Sequence, residues 1–106
     1  MNKLYFVETN GGYMTVATDA DDRACYMWQD GTEENYPSRS PDWDDADDAQ
    51  REQIAAEWLQ SIKEFNNFDS LYMDCDTSSG YTGVYTVEEF EKDLDNGCSV
   101  VAEIDF

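Results

Sequence analysis

Apolar and polar positions alternate over residues 3–9, with Tyr5, Phe6 and Val7 at the centre, and a second run rich in aromatic and β-branched residues spans 13–18. Asn10-Gly11-Gly12 lies between them. Asn and Gly accept the positive φ that a tight turn demands, so the two runs form a β-hairpin. Asp19, Asp21 and Asp22 interrupt the pattern, and residues 23–28 then suit a third strand or a short helix, with a strand or irregular edge expected. Residues 29–41 are dominated by Asp, Gly, Thr, Glu, Asn, Pro and Ser, with Pro37 and Pro41 as breakers, and read as a surface loop.

The period then changes. Ile54, Trp58, Ile62 and Phe65 recur at spacings of four, four and three, with Ala55 and Leu59 beside them, which predicts a helix over about 44–66. Glu52, Glu57, Lys63 and Glu64 occupy its other face. Asn66-Asn67 ends it, residues 68–76 fit a short strand or a helical turn, and 77–83 read as a loop. Thr86-Val87-Glu88-Glu89 matches a capping box, so a second helix starts there, runs through Phe90 and Leu94 and stops at Asn96-Gly97. Residues 98–106 close the chain with a strand carrying Val100, Val101, Ala102 and Ile104. The order predicts an α+β fold for residues 1–106 as a single compact acidic domain. Its small antiparallel or mixed sheet, the N-terminal hairpin plus the C-terminal strand, has both helices packed on one face.

Charge changes this picture. The net charge is -19, and 41% of residues are hydrophobic and 14% aromatic, a combination that folds instead of remaining a disordered acidic tail. Residues 19–50 hold eleven acidic residues against two basic ones. The densest stretch is 42–48, DWDDADD, directly before the predicted helix. In one reading Asp44, Asp45, Asp47 and Asp48 offset the positive end of the helix, each contributing about 0.3–1 kcal/mol, and otherwise face water. In the other the carboxylates meet a basic partner, such as a protein groove that normally holds phosphates. So acidic a chain is repelled by DNA, RNA and anionic membranes, and its natural partner is a cationic protein surface.

Candidate chemistry narrows the field further. Histidine is absent, which removes Ser-His-Asp and Cys-His catalysis and the usual zinc ligands. No phosphate-cradling glycine motif occurs. Asp74-x-Asp76-x-Ser78 begins like a calcium loop, but Ser79 stands where the turn needs Gly and Tyr85 where a bidentate Glu belongs, so no metal site and no cofactor is expected. Any two of 25 acidic residues can be chosen as an acid/base pair, so such a pair carries no information, and a non-enzyme is expected. Cys25, Cys75 and Cys98 are odd in number and lack a CxxC. They suit free, buried thiols in a reducing cytoplasm better than a disulfide framework, with one pair left open. Residues 1–13 contain no long apolar run and no stretch approaches the length of a membrane span, so a soluble, intracellular protein is expected.

The aspartates of 42–48, the charges Asp30, Glu33 and Glu34 and the interleaved aromatics together resemble the small acidic proteins of phages and mobile elements, notably anti-CRISPR proteins and antirestriction DNA mimics. The resemblance is one of size, charge and lack of catalytic residues over the whole chain, without a motif. It implies an inhibitor, in the cytoplasm of a bacterial host, that occupies the basic nucleic-acid channel or PAM-reading site of a Cas nuclease, where Arg and Lys contacts await an anion. Carboxylates on adjacent helical turns can reproduce the roughly 6–7 Å spacing of successive phosphates. The expected contact surface is Asp30, Glu33, Glu34, Asp42, Asp44, Asp45, Asp47 and Asp48, with Trp43 and Tyr36 as anchors. Competing readings are an interaction module for another basic protein, and salt adaptation, which predicts acidity spread evenly over the surface.

Overall fold

The computed structural model describes residues 2–9, 12–27, 37, 40–65 and 82–106. The elements are β1 (Lys3–Thr9), β2 (Gly12–Thr18), β3 (Arg23–Met27), α1 (Asp48–Phe65), β4 (Thr82–Thr86), α2 (Val87–Asp95) and β5 (Ser99–Asp105). The sheet order is β4-β3-β2-β1-β5, antiparallel throughout. The architecture is α+β, as the sequence predicts, with the C-terminal strand joined to the hairpin.

The hairpin closes where Thr9 pairs with Gly12, and the Thr9 hydroxyl donates to the Gly12 carbonyl at 3.0 Å. Gly12 has φ 139°, a conformation glycine adopts without steric penalty. Of residues 23–28, the described ones, 23–27, form the expected strand. It pairs Thr18 with Ala24 and Thr15 with Met27, and Asp19 shapes the turn into it by accepting from the backbone N–H of Asp21 and of Arg23. On the far side of β1, β5 runs from Ser99 opposite Glu8 to Asp105 opposite Lys3, with a bulge between Phe6 and Val7. Beyond it the Phe106 N–H donates to the Asn2 carbonyl at 2.9 Å, so the two ends of the described chain lie side by side.

β4 is an element absent from the sequence reading, which ran a loop to residue 83. It pairs with β3 from Arg23–Thr86 to Met27–Thr82 and feeds directly into α2. The capping box at Thr86 is as predicted. Its Oγ1 accepts from the Glu89 N–H at 3.1 Å and its hydroxyl meets the Glu89 carboxylate at 3.3 Å. At the other end Gly97 takes φ 103° and the Cys98 N–H donates to the Asp93 carbonyl, the closing bond of a Schellman motif.

The packing of the helices differs from the expectation of one shared face. In β1, Leu4 and Phe6 point one way and join Ala55 and Leu59 of α1, while Tyr5 and Val7 point the other way and join Phe90 and Leu94 of α2. β2 divides in the same manner, Ala17 with the α1 cluster and Met14 and Val16 with the α2 cluster. Leu4, Phe6, Val7, Val16 and Ala17 are fully buried, so the central strands have no water-facing side and each face must be covered by its own helix. The Tyr5 and Phe90 rings meet edge to face at 5.1 Å.

Cys25 is buried in the α1 cluster and disulfide-bonded, whereas Cys98 is free. This decides the pair that the sequence left open, against the preferred reading of free thiols. Cysteine spacing along a chain does not report which strands and loops meet in space. Residues 68–76 lie outside the described residues.

Candidate functional site: the acidic turn before the first helix

The aspartate stretch folds as a turn followed by a capped helix start. Three backbone hydrogen bonds wind it, from Ser40 N–H to the Pro37 carbonyl, Trp43 N–H to Ser40 and Ala46 N–H to Trp43, at 3.0, 3.0 and 3.2 Å. Asp47 then caps α1. Its Oδ1 accepts from the Gln50 N–H at 2.8 Å, and the Gln50 side-chain oxygen accepts from the Asp47 N–H at 2.9 Å, a reciprocal capping box with Asp at the cap. The helix therefore begins at Asp48, and Asp44 and Asp45 belong to the turn, not to the first helical turn predicted for them.

Trp43 departs from its expected role. It is 2% exposed and part of the core, so it is no surface anchor. Its ring meets Phe6 at 6.0 Å and Tyr13 at 5.5 Å, both edge to face, and its Nε1 donates to the Tyr13 hydroxyl at 3.1 Å. Tyr13 in turn stacks on Phe6 at 5.3 Å and donates to the Glu8 carboxylate at 3.0 Å. Burial raises the Tyr13 phenol above its ordinary value and Glu8 adds to the shift, while the Trp43 bond opposes it. The only aromatic within the aspartate stretch is thus the plug that fixes it to the sheet.

Arg51, which the sequence reading did not single out, locks the turn from the helix side. Its Nε donates to the Trp43 carbonyl at 2.9 Å, a terminal nitrogen reaches the Asp44 carbonyl at 3.4 Å, and the guanidinium carbon lies 5.3 Å from the centre of the Trp43 ring. Its contacts are to carbonyls and a π face, so the carboxylates stay uncompensated. Asp42, Asp44, Asp45, Asp47 and Asp48 are all exposed, and among the described residues none forms an ion pair. They do not converge either, since the described residues contain no group of three acidic or cysteine side chains able to hold a metal ion.

The turn divides the block between two grooves. Asp42 and Asp45 line one of about 410 Å³ with Gln50, Gln53 and Glu57. Asp48 lines the other, of about 360 Å³, with Glu8, Glu52 and the start of β5. Glu8, Glu52 and Glu57 thus join the acidic surface. Glu52 and Glu57 were legible as the polar face of the helix, but their grouping with the turn required the helix start to be placed. Asp30, Glu33, Glu34 and Tyr36 lie outside the described residues.

No family model, no curated protein and no solved structure matches this chain. Among the described residues no helix is long and apolar enough to cross a membrane. Cys98, the free thiol, is held above its ordinary value by partial burial and then by the charge of Asp93, which disfavours the nucleophilic thiolate.

Proposed function

We propose that the protein is a non-catalytic acidic inhibitor that occupies the basic nucleic-acid-binding surface of a Cas nuclease in a bacterial cell. The observation that carries this reading is the exposed set Asp42, Asp44, Asp45, Asp47 and Asp48, which forms no ion pair among the described residues and sits on a turn anchored by the buried Trp43. A backbone already wound into a turn has less to lose in entropy on binding, and the clustered field of its carboxylates speeds encounter with a cationic groove. Asp30, Glu33, Glu34 and Tyr36, outside the described residues, remain part of the proposed contact set on their sequence alone.

The test is a binding measurement against Cas nucleases and restriction enzymes, each with and without guide or DNA, at low and moderate salt. Expected is tight binding that DNA displaces and salt weakens. A variant carrying Asp42→Asn, Asp44→Asn and Asp45→Asn should lose about tenfold or more in affinity while unfolding no earlier than the parent. Binding that ignores added DNA, or a variant that binds as well as the parent, sinks the reading. Disulfides are rare in reducing compartments, so the assay is run with and without reductant to establish whether the Cys25 bridge is needed.

A second reading is favoured by the division of the block between two grooves, since a mimic of one DNA strand presents its charges in a row. In it the protein captures separate Lys or Arg side chains of another basic protein, and bound DNA on that partner makes no difference.

A further inference from the structure

Among the described residues the sheet ends at β5, whose one strand neighbour is β1. The Phe106-to-Asn2 hydrogen bond sets the alternation of the β1–β5 ladder, which turns the backbone groups of Glu103 and Asp105 away from β1. The Asp105 carbonyl is already taken, by Lys63 Nζ at 3.1 Å. The start of the strand is different. Val100 is 39% exposed, the exposed large hydrophobic among the described residues, and the groove of about 360 Å³ opens between Ser99, Val100 and Val101 and the first turns of α1. Glu8, Asp48 and Glu52 supply its acidic rim, while Arg51 is turned inward to the Trp43 carbonyl.

We propose that the free edge of β5 over Ser99–Glu103 accepts an extended basic segment of a partner protein by strand addition. Backbone hydrogen bonds supply the pairing, an apolar side chain of the partner rests on Val100, and alternate Lys or Arg side chains face Glu8, Asp48 and Glu52. Charge selects this occupant over a second copy of the chain. A net charge of -19 opposes self-pairing, and Glu103 and Asp105 would face their own kind across a β5–β5 edge. This surface is independent of the aspartates at 42–45.

The probe is a synthetic peptide alternating lysine and valine, titrated against the full chain with backbone amide NMR and hydrogen exchange as readouts. Expected are shifts at residues 99–103, slower exchange of the Glu103 amide, and about fivefold weaker binding by Val100→Ser. A peptide of the same composition N-methylated at successive central residues keeps its charge but loses both strand edges, and should bind about tenfold more weakly. The Asp42→Asn, Asp44→Asn, Asp45→Asn variant should bind the peptide as the parent does, which separates failure here from failure of the inhibitor reading. Equal affinity for the N-methylated peptide, shifts confined to residues 42–48, or no binding at millimolar peptide would overturn the proposal.

Discussion

An indole flanked by carboxylates can face a partner or turn inward, and the hydrogen bond from Trp43 to Tyr13 shows the inward solution. Trp43→Ala leaves a cavity under the turn and should cost about 3–5 kcal/mol in urea unfolding. Trp43→Phe keeps a ring and the carbonyl that Arg51 binds but removes the indole N–H from the part-buried Tyr13 hydroxyl, and should cost about 1–3 kcal/mol. If the ring is structural, the Phe variant retains partner affinity once folded. Asp19 supplies the pH-sensitive residue. Partial burial alone would raise its carboxyl, but hydrogen bonds from the Arg23 backbone, the Arg23 guanidinium and the Asp21 N–H outweigh it, and the net shift is downward. Its contribution is therefore complete above the unfolded value of about 3.9 and is lost as pH falls through the lower folded one. Asp19→Asn should lower stability at neutral pH and flatten the acid limb of a pH–stability curve below about pH 4. An unchanged limb would mean that the Arg23 contacts do not hold in solution.

At the scale of elements, the caps were the most legible features because their chemistry is local. Thr86 and Glu89 sit three residues apart and meet as that spacing requires. Asp47 and Gln50 form the equivalent box, and of the five aspartates in 42–48 only Asp47 has a Gln or Glu three residues on; that spacing marks the cap, and without using it the predicted helix started too early. Asp47→Ala should cost about 0.5–2 kcal/mol, whereas Asp44→Asn and Asp45→Asn should be neutral or stabilising, a contrast that thermal unfolding can read. What remained illegible depends on distant partners. β4 is a strand because β3 offers an edge, and its Gly83 and short length gave no periodic signal. The two-sided burial of β1 is missed when residues 3–9 are read as alternating, although Leu4, Tyr5, Phe6 and Val7 form an unbroken apolar run. Only the opposite destinations of Phe6 and Val7 decide it.

For the whole molecule, the disulfide at Cys25 and the charge of -19 act in opposite directions. Self-repulsion favours expansion, while a cross-link limits the unfolded ensemble and contributes typically about 2–4 kcal/mol. Cys25→Ala, or a melt in reductant, should lower the Tm by about 8–30 °C at low salt. Added salt should recover part of that loss in the variant by screening the carboxylates. A melt indifferent to reductant would show the bridge to be absent in solution. The acidic surface was legible in composition, but its division by Trp43 was not, because burial of one residue follows from the sheet beneath it. The hydrogen bond between Asn2 and Phe106 has a consequence for making derivatives of the molecule. With the two ends one peptide width apart on neighbouring strands, a brief linker can join them into a ring. New ends can then be opened at the exposed turn around Ala20 and Asp21, leaving the acidic turn and the β5 edge on a circularly permuted chain with no fused tag beside either.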